Sequence, residues 1–415
     1  MKRLLRMSLF FYALLLPLGV FAQEQVSPLL TLHEILSEAV NNNAEIKAAK
    51  AAVLAAKERI PQARAFDDPE LGVMQWSIPS NFALFDANET WYSLSQHIPY
   101  FGKRDKRATI AALESQVMEE RVHALELRVI AQTKQAYFDL FFVYKKIEIH
   151  HEQVDLSRRF SAIALEQFKA GQSGQLDVIR AQMELLGLAN DLHTIEASVS
   201  TANARLNMLL NRPVSSPLGK PETPILPLLP SSVEVLQEKA AQARPENRGA
   251  ALEINRWDEA IGLAKTEAKP DFTAELSYWD VHGGGNRWMT SVRMNLPWFN
   301  KKKIEAQVRE AVSERGRTEA MYESSLLETR FQVQNLFTRV ESNSRLLKLY
   351  EEGLLPLAEQ SQEAAMIGYV TRKNDFLALI EAQKKLRDMQ LAYFQALVDV
   401  NKDTTELEQI VGESL

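Results

Sequence analysis

Apolar residues recur at helical spacing over very long stretches of this chain, and short segments in which apolar and polar residues alternate lie between them. No proline interrupts residues 101–212, and helix formers fill that span. Its strongest break is Gly171-Gln172-Ser173-Gly174, so the pattern predicts a rod over 104–170 of roughly 100 Å that returns through 176–211 over roughly 54 Å. A second pair is expected over 301–367 and 376–411, turning at Gly368-Tyr369-Val370-Thr371, with Pro356 near Gly353 kinking the outgoing arm. Helices of this length exceed a globular core and must bury their apolar stripes against one another, as antiparallel coiled pairs.

The alternating segments have period two. Phe272, Ala274, Leu276 and Tyr278 interleave with Thr273, Glu275, Ser277 and Trp279, and after Gly283-Gly284-Gly285 a second run places Trp288, Thr290, Val292, Met294 and Leu296 on one side. Leu71 and Val73, then Tyr92, Leu94 and Ile98, form a weaker pair, interrupted by Gln75 and Gln96. Four strands in two hairpins are expected, apolar on one face, with Trp or Tyr near the ends. A transmembrane β-barrel shows that pattern, and a soluble half-buried hairpin shares it. Helices precede each hairpin, over Leu32 to about Ala65 and Val233 to about Ala268.

A displacement of 201 residues aligns the chain with itself. Ala39, Glu45, Glu58, Ile60, Ala63 and Pro69 meet Ala240, Glu246, Glu259, Ile261, Ala264 and Pro270, and near the other end Leu176, Ile179, Ala181, Gln182, Leu185 and Leu206 meet Leu377, Ile380, Ala382, Gln383, Leu386 and Leu407. Between these the register slips by a few residues, bringing Pro99-Tyr100-Phe101-Gly102-Lys103-Arg104 onto Pro297-Trp298-Phe299-Asn300-Lys301-Lys302. The organisation expected is a first repeat over 23–212, an extended Pro-rich linker over 213–230 and a second repeat over 231–415. Four strands cannot close a barrel, and open sheet edges are not tolerated in lipid, so several chains must share one. Three would supply twelve strands.

Composition narrows the class. Residues 1–22 read as a signal peptide, with Lys2, Arg3 and Arg6 before an apolar run too short to span a bilayer. The whole chain carries 48 basic and 54 acidic residues; removal of three leader cations leaves 45 against 54, a net −9, which argues against nucleic acid as a partner. A mean hydropathy of −0.22 excludes a polytopic helical membrane protein. Cys is absent, which removes disulfides, thiolate metal sites, a Cys nucleophile and N-terminal lipidation.

The duplicated hairpin and rod, the element Leu94 to Arg104 and the turn Gly171 to Gln182 together resemble the TolC-like outer membrane efflux family, over essentially the whole mature chain. The resemblance implies a mainly α fold with membrane β: a homotrimer whose strands form a 12-stranded barrel in outer-membrane lipid, continued by an α-helical barrel across the periplasm. It implies a passive exit duct, not an enzyme, docking with a periplasmic adaptor protein and an inner-membrane pump of RND type. Asp-Pro-Glu-Leu at 68–71 and the Gly-Lys-Arg element look more like the heavy-metal and cation branch than the multidrug branch. The chain departs from the family in lacking the lipidated Cys of many members, and Lys373-Asn374-Asp375-Phe376 has no match in the first copy. The competing reading is a periplasmic adaptor, which usually has one helical hairpin within a Gly-rich lipoyl-type domain.

Candidate chemistry is sparse. The seven His residues lack metal-ligand spacing, no nucleophile elbow supports a catalytic triad, and Gly283-Gly284-Gly285 lacks the Lys-Ser or Lys-Thr of a phosphate loop. No metal or cofactor is expected. If rods from three chains converge, Asp177, Asp375 and Glu381 would form a carboxylate ring at a narrow periplasmic aperture; ordinary helix-start acids would look the same. Gly171, Gly174 and Gly368 mark the expected helical turns, and Leu94, Phe272, Leu276, Val292 and Met294 the lipid-facing strand positions. Pro99, Gly102 and Pro297 mark the strand-to-helix joints. The basic runs there, Lys103-Arg104 with Lys106-Arg107 and Lys301-Lys302-Lys303, are expected to face lipid headgroups or water.

Overall fold

The computed structural model describes residues 29–78, 87–226 and 232–415. The expected leader and the linker prolines Pro227 and Pro230 lie outside them. Helices α1 (Leu32–Asn42), α2 (Ala44–Lys57) and α3 (Arg59–Arg64) lead into strands β1 (Glu70–Trp76) and β2 (Glu89–Ile98), followed by α4 (Lys103–Lys169) and α5 (Gln175–Leu209). The second copy repeats the order with α6 (Val233–Ala243), α7 (Pro245–Thr266), β3 (Phe272–Val281), β4 (Arg287–Met294), α8 (Lys301–Leu349), α9 (Leu355–Val370) and α10 (Phe376–Val411). At 67 residues, α4 is a rod of about 100 Å.

The opening helices are divided where single helices were expected, for local reasons. Asn43 leaves helical geometry and caps α2, its Oδ1 accepting the Glu45 and Ile46 amides at 2.9 and 3.2 Å. Its Nδ2 donates to the Leu209 carbonyl at 3.3 Å, tying the corner to the end of α5. Arg244 breaks the second copy at the matched position, where Pro245 disfavours helical geometry in the residue before it. Pro61, lacking an N–H, accounts for the further break between α2 and α3; its counterpart is Gly262, and α7 runs on unbroken.

The kink expected at Pro356 is displaced. Residues Tyr350–Leu354 form a π-helical turn in which the Leu355 amide reaches back to the Tyr350 carbonyl. Pro356 follows in the first turn of α9, where a missing N–H is tolerated, so the extra residue rather than the proline ring makes the irregularity. The second rod is therefore α8 and α9 in series.

The turn placed at Gly368 is also corrected. Gly368 is helical and buried near the end of α9, and its bare Cα accommodates the Asn374 side chain. The reversal occupies 371–375, with Arg372 in left-handed geometry at φ +61° and the Lys373 amide donating to the Gly368 carbonyl at 2.7 Å. At the first tip Gly171 does adopt φ +66°, and Gly174 is extended at the N-cap of α5.

The described part of the linker is non-helical and docked. Asn207 donates to the Val214 and Ser216 carbonyls, Leu218 is buried, and Leu30 bridges Pro221. The Tyr137 hydroxyl of α4 donates to the Leu30 carbonyl and accepts the Glu222 amide, both at 2.9 Å; burial pushes its phenol up to about 12. Apolar clusters recur along the rods. Ile35, Ala39 and Ile46 pack on Leu140 and Leu206, and their second-copy counterparts Leu236 and Ala240 pack on Val333 and Leu407. Among the described residues no helix is long and apolar enough to cross a membrane.

Candidate functional site

Three features stand out along the long axis: the sheet, the joint beneath it and the far tip. The four strands form one antiparallel sheet in the order β1-β2-β3-β4, so β2 and β3 join the two copies while β1 and β4 remain open edges. The register aligns Leu71, Leu94, Leu276 and Thr290 in one row, then Val73, Tyr92, Tyr278 and Trp288 in another. Phe272 lies between Ile98 and Met294, and Ala274 between Gln96 and Val292. All five sequence-picked lipid-facing positions thus share one face, on which Leu71, Val73 and Val292 are 60–78% exposed. Tyr92, Tyr278 and Trp288 stack in sequence, at centroid separations of 6.5 and 5.0 Å, toward the end remote from the rods.

The opposite face is polar for most of its height. It carries Ser93, Ser95, Glu275, Ser277 and Ser291; Arg293 pairs with Glu275 at 2.8 Å, and Ser277 donates to Glu275 at 3.0 Å. The bare Cα of Gly72 leaves room there for the Ser93 hydroxyl, which a Cβ would approach to 2.6 Å and turn aside. Near the remote end Trp91 and Trp279 meet edge-on at 5.5 Å. An apolar outer face and a polar inner one is the arrangement of a sheet that separates lipid from water.

The joint holds the residues that sequence reasoning misread. Pro99 follows the last residue of β2, and Gly102 takes φ +89° to swing the chain into α4. Lys103, expected at headgroups or in water, is fully buried. Its Nζ lies 2.9 Å from Glu267 and 2.9 Å from Asp271, and donates to the Lys269 carbonyl at 3.2 Å. Asp271 also accepts the Tyr100 amide at 2.7 Å. Burial raises the Asp271 carboxyl, but the Lys103 hydrogen bond, the Tyr100 amide and the charges of Lys103 and His97 together hold it below the ordinary aspartate value. Lys106 pairs with Glu259, Arg107 with Glu267, and Arg104 covers the Phe66 ring while donating to the Arg64 carbonyl. In the second copy Pro297 opens a 3-10 turn to Asn300, and Lys301 is 80% exposed.

At the tip, both helical turns meet in one apolar cluster of Phe160, Ala164, Ala181, Tyr369, Phe376 and Leu379. The three candidate acids lie on the two returning helices, one on α5 and two at or within the start of α10. Asp375 caps α10, accepting the Ala378 amide at 2.9 Å; Asp177 lies in the first turn of α5; and Glu381 is exposed two turns into α10. Burial raises the Tyr369 phenol, and the negative field of Asp177 adds to it. Among the described residues no cluster of three or more His, Asp or Glu is arranged to hold a metal ion.

Comparison with known proteins agrees with this geometry. The sequence model of the family "Outer membrane efflux protein" matches residues 35–212 and again 236–413, the same displacement that aligns the chain with itself. The cobalt-zinc-cadmium resistance protein CzcC of Cupriavidus metallidurans is 24% identical over 399 residues, 95% of this chain and 92% of CzcC. The cation efflux system protein CusC of Escherichia coli K12 is 21% identical over 389 residues, 88% of this chain and 82% of CusC. A crystal structure of CusC superposes with a TM-score of 0.80 at 17% identity, covering 94% of each chain.

Proposed function

The chain belongs to the outer membrane efflux protein family, and from that premise we propose that three copies form the exit duct of a tripartite export system. The observation that carries the trimer is the sheet with two open edges: its exposed apolar face suits lipid, where unpaired strand edges are not tolerated. Three sheets closing edge to edge give twelve strands, and the paired rods of three chains give a helical barrel below them. Export through such a passage is passive, and the chain is not an enzyme. The periplasmic adaptor reading fails on this fold, which has two long helical hairpins and an open membrane-type sheet.

The partners in this proposal are a periplasmic adaptor protein at the tips and an inner-membrane pump of RND type. Heavy-metal cations are the proposed cargo, supported by the similarity to CzcC, a cobalt-zinc-cadmium resistance protein, and CusC, a cation efflux system protein. Asp177, Asp375 and Glu381 are proposed to ring the periplasmic aperture, where carboxylates from three chains would raise the local cation concentration. Two measurements test the assembly and its cargo. Fractionation with chemical cross-linking should place the mature protein in the outer membrane as a species three chains in mass, and a soluble or inner-membrane monomer overturns the reading. A deletion strain should become sensitive to cobalt, zinc, cadmium or another heavy-metal cation; sensitivity confined to organic drugs refutes the metal assignment. Neutralising all three acids should alter single-channel conductance or divalent-cation block in planar bilayers, and unchanged values remove the aperture from the proposal.

A further inference from the structure

The contact between the two copies within a chain is visible, and the internal repeat offers it as a template for the contact between one chain and the next. There, the joint lysine of the first copy, Lys103, is fully buried against Asp271, the residue that opens the strand of the second. Both partners have counterparts. The joint displacement carries Lys103 onto Lys301, and the repeat displacement carries Asp271 back onto Glu70. Within one chain these counterparts are apart and unsatisfied by each other. Lys301, after the open-edge strand β4, is 80% exposed and among the described residues has one ion-pair contact, to Glu305 of its own helix at 3.6 Å, and Glu70 is exposed where the open edge of β1 begins. Charge follows the same logic. Lys301, Lys302 and Lys303 form an exposed basic rim on one side of the chain, and Asp67, Asp68 and Glu70 an exposed acidic rim on the other.

We propose that Lys301 of one chain pairs with Glu70 of the next, as Lys103 pairs with Asp271 within a chain, and that this pairing sets the register between neighbouring sheets. The register is anchored on that pair, because the two displacements alone differ by two residues between the hairpins: Leu71 opposite Leu94 would put Phe272 opposite Val292, where the second hairpin has Met294. Phe272 lies opposite Ile98, and their counterparts are Leu71 and Leu296, so Leu71 of one chain faces Leu296 of its neighbour and Val73 faces Met294. A register carried over from one displacement on β1 and another on β4 had no obligation to keep the faces consistent. It does keep them: Leu71, Val73 and Gln75 of the apolar face meet Leu296, Met294 and Val292 of the apolar face, and Met74 meets Arg293 on the other. A slip of one residue would send every side chain of β1 to the wrong side. A slip of two would preserve the faces but separate Lys301 from Glu70, and the ion pair supplies that discrimination. The heterologous contact repeats around a closed ring. The inference rests on the assembly proposed above and adds its register and its charge pair.

The natural absence of cysteine makes the test clean. In the full-length protein in outer membranes, Val73→Cys with Met294→Cys should form an interchain disulfide under mild oxidation, giving a ladder that ends at three chains. The two-residue slip pair, Val73→Cys with Val292→Cys, should cross-link at least tenfold less. Glu70→Lys and Lys301→Glu should each reduce the heat-resistant oligomer on mild detergent gels, and the two together should restore it. Dominant cross-linking by the slipped pair, or no rescue by the double reversal in a protein that still assembles, overturns the inference while leaving the duct intact. A protein that remains monomeric under all conditions overturns both.

Discussion

Replacing Lys103 by methionine isolates the clamp at the joint. Methionine matches the length of the lysine stem and can fill the same buried channel, so the loss is almost wholly that of the ammonium. What remains is a carboxylate pair in which Asp271 is 13% exposed and Glu267 34% exposed. Removing one partner of a fully buried ion pair costs roughly 3–5 kcal/mol. Water reaches Glu267, and the Tyr100 amide still donates to Asp271, so about 2–4 kcal/mol is expected here. For a chain of this size that is a fall of about 2–5 °C in the thermal midpoint by circular dichroism. The decisive measurement is the double variant Lys103→Met with Asp271→Asn, which removes the stranded charge and should recover about half of the loss. The clamp also has a pH signature. Because the folded Asp271 carboxyl lies below its ordinary value of 3.8, its contribution is fully present above that value and disappears as pH falls through the lower folded one. The gap between wild type and Lys103→Met should therefore stay constant from pH 7 to about 5 and narrow below about 4. A midpoint within about 1 °C of wild type, or a double variant as unstable as the two single losses added, would show that Lys103 is buried without carrying the joint.

Other substitutions probe the features around it. Gly102→Ala should cost about 1–2 kcal/mol despite open space around the Cα, because φ +89° penalises any L side chain; a neutral effect in urea unfolding would refute the strain argument. Gln153 and Gln383 are buried against each other between α4 and α10, with Gln383 Nε2 donating to Gln153 Oε1 at 3.1 Å and the Gln383 Oε1 unpartnered among the described residues. Either Gln→Leu change alone should destabilise by about 1–3 kcal/mol and the pair together by less than either, as measured by thermal melts; additive losses would contradict this.

How much the sequence disclosed depended on whether the determining contacts were local. The period-two segments gave all four strands and the correct shared face, because alternation is a property of neighbouring residues. Proline-free length gave α4, α5 and α10 nearly to the residue. The outer bounds of the opening helices are legible, but their internal breaks are not, although Pro61 and Pro245 stand in plain view, since Ala-rich composition on either side masks them. Gly368 was misassigned for the opposite reason: glycine there answers to the packing of Asn374, not to a turn. Lys103 was legible only as one cation in a basic run. Its burial depends on Asp271 and Glu267, more than 160 residues away, and no local pattern marks that partnership.

The two copies share a scaffold but have diverged in where they are held rigid. In the first, the joint is locked by a buried ion pair, and α4 runs unbroken for 67 residues to a tip that reverses through a glycine. In the second, the matching lysine is exposed, and the rod passes through a π-helical turn before a tip that reverses through Arg372 in left-handed geometry. A π turn leaves an i→i−4 bond unmade and is a place where a helix bends at low cost. Near-equal copies arranged alternately around a ring would make six similar walls; these make three continuous walls and three interrupted ones. The tip cluster, in which Phe160 and Ala164 of the continuous rod meet Tyr369 and Phe376 of the interrupted one, ties the two together.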